Sequence, residues 1–415
     1  MDVLKIATAG SVDDGKSTLI GRLLFETNSI TTDKLQAIEA SSKKKGLDYI
    51  DLSLLTDGLI AEREQGITID VAHIYFSTPT RKFIIADTPG HFEYTRNMVT
   101  GASNANVSMI LVDARNGVVE QTFRHFYISC LLRIPNVVVC INKMDLVGYS
   151  QAAFEEIQAK FMAFAEKVRF EGQQISFIPV SSLYGENLTA PSASMIWYTG
   201  APLLTLLEEV TTDKQLPEEE SRFPVQYVVR PKSEEFHDYR AYAGKVASGL
   251  LRKGERVVVL PSGQETTIAK IEKFGREIEA AQAKESISIL LEDDVDISRG
   301  DMIVPFAQLP KQGRQLDATI CWMDKKPLRV GGTYLVQHGV NTSKAKISAL
   351  ANLIDVVTLE ANDTLTALQL NEIADVQLKT AKEIFYDSYK DNKANGSFIV
   401  IDEQTNATVG VGLIR

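Results

Sequence analysis

Apolar residues in the first two hundred positions come in short, nearly continuous runs, separated by stretches of helical period. Val3–Ala9 reads as a buried strand, and residues 17–26 as the helix that follows it. The polar stretch 28–55 carries Lys43, Lys44 and Lys45, a run expected on a solvated loop or helix face. Alternation over 67–77 and the apolar segments 82–86, 106–114, 136–141 and 175–180 predict five further strands. Residues 118–133, Gln151–Val168 and 202–210 read as helices. Strands alternating with helices predict an α/β domain with a doubly wound, mostly parallel sheet over residues 1–215.

From Phe223 the helical period gives way to short β-rich segments: Phe223–Val229, 241–247, 255–260, 266–274, Ser286–Leu291 and 301–304. Turn signals such as Arg252-Lys-Gly254 and Pro261-Ser-Gly263 separate them, so a small all-β barrel is expected over residues 222–308. Residues 308–315 read as a linker. Beyond them 316–321, 332–337, 344–354, 356–359, 375–378, Ser397–Ile401 and 408–413 predict a second all-β barrel over 314–415.

Composition narrows the class. At 415 residues two or three domains are expected, and a net charge of −10 argues against a broad nucleic-acid grip. Cys130, Cys140 and Cys321 form no C-x-x-C pair, and two of them fall in apolar runs, as buried thiols in a reducing compartment would. No signal-like segment opens the chain and no apolar run is long enough to cross a bilayer. A cytoplasmic protein that binds neither membrane nor nucleic acid is expected. His237, His338, Trp197 and Trp322 lack a ligand cluster and read as structural residues.

The chemistry is concentrated in Gly10-Ser-Val-Asp-Asp-Gly-Lys-Ser17, a G-x-x-x-x-G-K-S phosphate loop between a strand and a helix. Gly10 and Gly15 permit turns that aim the N–H groups from Gly10 to Thr18, those of Ser11, Val12, Asp13 and Asp14 included, at phosphate oxygens. The helix N-terminus adds partial positive charge. Lys16 can reach the β- and γ-phosphates, and the Ser17 hydroxyl can ligate Mg²⁺. Asp87-Thr88-Pro89-Gly90-His91 follows a strand, where open α/β sheets place ligands. Asp87 can hold Mg²⁺ through water, Gly90 can offer its N–H to the γ-phosphate, and His91 lies beside the path of an attacking water. Asn142-Lys143-Met144-Asp145 has a base-reading rationale. The Asp145 carboxylate can accept from the ring N–H and amine of guanine, a donor pair adenine lacks. Asn142 can bind the base's other side and the Lys143 stem can cover its face. Ser181-Ser182-Leu183 can meet the guanine carbonyl. GTP with Mg²⁺ is the expected ligand.

Together with Arg63–Ile69, these motifs resemble the translation-factor class of GTPases, and the two trailing barrels match its domain plan. Within that class GSVDDGKSTLIGRLL, LTDGLIAEREQGITIDVAHIYF, DTPGHFEYTRNMVTGAS and YAGKVASGLLRKGERVVVLPSG are similar to the large, GTP-hydrolysing subunit of sulfate adenylyltransferase. Asp14 sets the chain apart from tRNA-delivering elongation factors, which more usually carry histidine or serine there. The resemblance implies a heteromer in which a separate small subunit makes adenylylsulfate and pyrophosphate from ATP and sulfate. It further implies Lys16 as phosphate clamp, Ser17 and Thr68 as Mg²⁺ ligands, and His91 orienting the hydrolytic water. Val12 and Ile67 match residues that screen that histidine, and Asp13 a position supporting monovalent-cation binding in some relatives. Some relatives carry a kinase domain with a second phosphate loop, a motif that does not recur here. Delivery of aminoacyl-tRNA, or a stand-alone regulatory switch, would use the same pocket.

The base-reading argument is testable. Asp145→Asn is expected to move preference from guanosine toward xanthosine triphosphate in a competition assay; unchanged selectivity removes Asp145 from base recognition.

Overall fold

A computed structural model describes residues 2–44, 46, 49–55, 71–89, 95–212, 220–231, 239–355, 361–362 and 365–415. The chain divides into two units, one built on Met1–Thr212 and the other holding most of the remainder.

In the first unit, β1 (Val3–Ala9), β2 (Ala72–Ser77), β3 (Lys82–Asp87), β4 (Val107–Asp113), β5 (Asn136–Asn142) and β6 (Gln174–Pro179) form one sheet in the order β2-β3-β1-β4-β5-β6. All neighbours are parallel except β2, which runs against β3. Helices α1 (Lys16–Glu26), α2 (Thr32–Lys44), α3 (Thr95–Ala102), α4 (Glu120–Leu131), α5 (Gln151–Val168) and α6 (Leu203–Glu209) complete the described helices. Every residue of β4 is buried, which is why its sequence is an unbroken run rather than an alternation. One core gathers Leu19 and Leu23 of α1 with Ile6, Ile85, Met109 and Val138 of the strands. An aromatic cluster joins α4 to α5, with Phe126 and Phe161 edge to face at 5.0 Å. α5 starts where Ser150 Oγ accepts from the Ala153 N–H at 3.3 Å, an N-cap.

Sequence reading left 28–55 without a defined helix, and the structure forms α2 there, with only Ile38 and Ser42 buried. Lys43 and Lys44 lie in its last turn, where cations favour the helix dipole; Lys45 is outside the described residues. So are residues 67–70 of the strand expected over 67–77, which is seen as Ala72–Ser77.

The second unit contains two closed, antiparallel barrels. The first runs Arg256–Leu260, Met302–Pro305, Phe223–Val229, Ala241–Lys245, Ser286–Leu291 and Gln264–Lys273, and closes by pairing the last strand with the first. The second runs Lys311–Trp322, Ile373–Tyr386, Asn341–Ala351, Thr333–His338, Ser397–Ile401 and Thr408–Ile414, again closed. Each interior is filled by alternate residues, such as Val257 and Val259 in one and Leu316, Ala318 and Ile320 in the other. The linker expected over 308–315 is a correction. Lys311, Gln312 and Gly313 already pair with Tyr386, Phe385 and Ile384. These polar residues are recruited by a distant strand, so no local hydrophobic pattern announces them. The strand expected over 356–359 is outside the described residues.

Between the barrels lies a buried ion pair. The Arg222 guanidinium, 0% exposed, donates from Nε to Asp387 Oδ2 and from Nη2 to Asp387 Oδ1, both at 2.8 Å. Its Nη1 donates to the Gln308 carbonyl at 2.6 Å, and Asn395 Nδ2 donates to Asp387 Oδ2 at 2.7 Å. His338, as expected, is structural: its Nε2 lies 2.8 Å from the Asn395 carbonyl. Trp322 is buried and packs edge-on against Tyr334. His237 is outside the described residues.

Removing Asp387 leaves the buried guanidinium with only the half-exposed Glu220 carboxylate as counter-charge. Asp387→Ala is expected to cost about 3 kcal/mol in a urea-unfolding measurement, the lower end for a broken buried pair. A loss below about 1 kcal/mol, the range of exposed pairs, would show that water screens Arg222.

Candidate functional site

The loops after β1, β3, β5 and β6 all leave the same end of the sheet. Gly15 caps α1 at φ +91°, a left-handed conformation that favours glycine. A Cβ there would stand 2.5 Å from Asn142 Nδ2, so a larger residue would push the two loops apart. Lys16 is buried, and its Nζ donates to the carbonyls of Gly10 at 2.8 Å and Ser11 at 3.3 Å. Burial pushes its pKa down, while Asp87 and Asp14 oppose that shift. Asp14 is also buried: its Oδ2 accepts from the Ser11 N–H at 2.6 Å. Burial raises its pKa to about 6, although the Ser11 N–H and Lys16 favour the ionised form.

Asn142 is 1% exposed and holds two loops to the phosphate loop. Its Nδ2 donates to the Asp14 carbonyl at 2.8 Å, while its Oδ1 accepts from the Ser182 N–H at 3.0 Å and Ser182 Oγ at 2.8 Å. Sequence reading offered this amide to the base; in the structure its hydrogen bonds tie the turn after β6 to the phosphate loop. Ser181 Oγ donates to Asp145 Oδ1 at 2.6 Å and so orients the half-buried carboxylate. Met144 is fully buried beneath that loop, and Leu183 is half-buried. Lys143, at φ +62°, donates to the Asp13 carbonyl and pairs with Asp113 at 2.9 Å.

Asp113 and Arg22 escaped sequence reading. Burial alone would raise the Asp113 pKa, but hydrogen bonds from Arg115 and Lys143 outweigh it and hold it at about 2. A fixed negative charge therefore pins the Lys143 stem. Arg22 of α1 donates to the carbonyls of Ser182 and Leu183. Asp113 ends an apolar strand and Arg22 sits inside an amphipathic helix, so neither carries a motif.

On the metal side Asp87 is 1% exposed, and its Oδ1 accepts from Thr8 Oγ1 at 2.8 Å. Thr88 Oγ1 donates to the Thr8 carbonyl, and Pro89 is buried. The Asp87 carboxylate and the half-buried Ser17 hydroxyl are hard oxygen donors of the kind Mg²⁺ takes, and Lys16 supplies the cation for phosphate. Ser11 Oγ, buried without a hydrogen-bond partner, adds a polar group within the loop. Thr68, Gly90, His91 and Ile67 are outside the described residues; Val12 is 39% exposed. Among the described residues no group of three His, Cys, Asp or Glu residues could hold a metal, and no helix is long and apolar enough to cross a membrane.

The Elongation factor Tu GTP binding domain family matches residues 1–215, and the GTP-eEF1A C-terminal domain-like family matches residues 315–415. The chain is 49% identical over 413 residues to the "Bifunctional enzyme CysN/CysC" of Mycobacterium tuberculosis, covering 99% of this chain and 67% of that protein. It is 48% identical over 423 residues to "Sulfate adenylyltransferase subunit 1" of Bacteroides thetaiotaomicron, covering 100% and 86%. Among solved structures the S. cerevisiae Ski7 GTPase-like domain, bound to GDP and inorganic phosphate, aligns with 100% of this chain and 97% of that one. Its TM-score of 0.51 at 17% identity is a likeness of fold.

The raised Asp14 pKa has a defined sign. The folded state binds this proton more tightly than the unfolded chain, so the stabilisation is present below about pH 4 and is lost as pH rises through about 6. Asp14→Asn removes the buried charge. It is expected to raise the thermal midpoint at pH 7.5 relative to wild type, with the difference vanishing near pH 4. A pH-independent difference would contradict it.

Proposed function

This chain belongs to the sulfate adenylyltransferase subunit 1 family within the elongation-factor-Tu-type GTPases, and from that premise we propose that it hydrolyses GTP to drive formation of adenylylsulfate and pyrophosphate from ATP and sulfate. The observation that carries this reading is whole-chain identity of 46–48% to proteins bearing that name, joined to a phosphate loop built around buried Lys16. The same identity favours it over delivery of aminoacyl-tRNA.

The proposed roles rest on motif position, supported for the described residues by the hydrogen bonds above. Lys16, already donating to two loop carbonyls, can turn its ammonium to the β- and γ-phosphates. Ser17 and Asp87, with Thr68, would hold magnesium, which when bound would neutralise charge on the phosphate oxygens. Asp145, oriented by Ser181, accepts from guanine, while Asn142 keeps the base loops in register with the phosphate loop. His91 orients the attacking water. The product is a mixed phosphoric–sulfuric anhydride of high energy, so its synthesis needs a second, downhill reaction. Segments around Thr68 and Gly90 relay that energy by sensing the γ-phosphate. Adenylyl transfer itself belongs to a separate small subunit, with which this chain forms a cytoplasmic heteromer.

The test mixes the purified chain with a small subunit and follows adenylylsulfate with and without GTP. GTP is expected to stimulate formation, and Lys16→Ala to lower GTP-dependent turnover by about 10²-fold or more. Stimulation by ribosomes and charged tRNA in place of ATP, sulfate and small subunit would overturn the reading, as would wild-type GTP affinity in Lys16→Ala.

A further inference from the structure

The second barrel carries an open groove of about 670 Å³ on its outside, walled by the strands Asn341–Ala351 and Ile373–Tyr386 and by the turn at 330–333. Lys344, Lys346 and Lys379 line it. Lys346 and Lys379 are direct partners across the antiparallel ladder. Like charges placed opposite one another weaken a sheet, so the pair disfavours the fold that presents it. Lys344 is neutralised by Glu403, whereas Lys346 and Lys379 form no ion pair among the described residues.

The groove is also shaped by two breaks in strand pairing. Along one wall the register steps from Ile347–Leu378 to Ala349–Gln377, so Ser348 is an extra residue facing the groove. Along the other it steps from Gln315–Lys379 to Gly313–Ile384, so residues 380–383 form a bulge on that strand. Buried hydroxyls fix that bulge. Thr380 Oγ1 donates to the Lys382 carbonyl at 2.6 Å and the Arg314 carbonyl at 3.1 Å, and the Lys382 N–H donates to Ser343 Oγ at 3.1 Å. The cationic pair therefore sits in a preformed cleft.

Its chemistry narrows the occupant. The barrel is closed, so a partner cannot add a strand to an open edge. Among the described residues no aromatic side chain lines the groove, so the stacking platform that single-stranded nucleic acid uses is lacking there. The chain as a whole carries −10, so the basic character is local. Aliphatic Val330, Ile347 and Ala381 lie beside the lysines, with small or hydroxyl-bearing residues between them, leaving carboxylates on a peptide as the complement. We propose that this groove docks an acidic segment of the partner subunit. The choice of occupant rests on the heteromer reading above; the preference for carboxylates does not.

The test titrates a labelled Glu-rich peptide, a single-stranded oligonucleotide of matched length and the small subunit into the full chain. Wild type is compared with Lys346→Glu/Lys379→Glu, at low and high salt. Peptide and subunit affinity are expected to fall by about tenfold or more in the double variant, with salt weakening the wild type alone. Thermal midpoint and basal GTP hydrolysis stay unchanged. Lys346→Met/Lys379→Met repeats the comparison without introducing new charge. Unchanged peptide binding, or preference for the oligonucleotide, overturns the groove assignment. Peptide binding lost while subunit association persists overturns the occupant. Failure of wild type to bind the small subunit overturns the heteromer reading, and the peptide arm then judges the groove alone.

Discussion

The nucleotide site depends on one side-chain amide. Asn142 faces the phosphate loop with its donor and the β6 turn with its acceptor, and its position on a buried strand gives it no other place to go. Three loops, 128 and 40 residues apart along the chain, are thereby held at fixed spacing. A phosphate chain and a base can be recognised together only if that spacing is constant, because a misplacement of about 1 Å is enough to lose a well-oriented contact. Gly15 completes the constraint by leaving room for the amide.

Around this bridge, charge is arranged in two layers. Lys16, Asp14 and Asp87 are buried near the phosphates, where the low local dielectric strengthens each interaction. Asp113, as buried as they are, pairs with the more exposed Lys143 and Arg115 and so fixes the Lys143 side chain.

Motifs whose chemistry is contiguous were legible in the sequence. Gly10–Ser17 and Asn142–Asp145 need only local backbone and a strand before them, and both stand where the pattern put them. Contacts made by distant parts of the chain were not legible. Arg22 reaches carbonyls 160 and 161 residues away, and Arg222 meets Asp387 across 165. The strand beginning at Lys311 takes its pairing from Tyr386, so its polar start looks like a connector until both barrels are folded. The α2 helix was obscured for the opposite reason: it buries so little that its period is faint.

The burial of Lys16 and Asp14 reaches beyond the site. Both are held in surroundings that disfavour their charged forms, so the loop that grips the nucleotide adds little to the cohesion of its own domain. A ligand that binds only the native state supplies that cohesion, worth about 2.7 kcal/mol at a concentration a hundred times its dissociation constant. Occupancy of the site and resistance to unfolding are thus linked: whatever fills the pocket also steadies the loop that surrounds it.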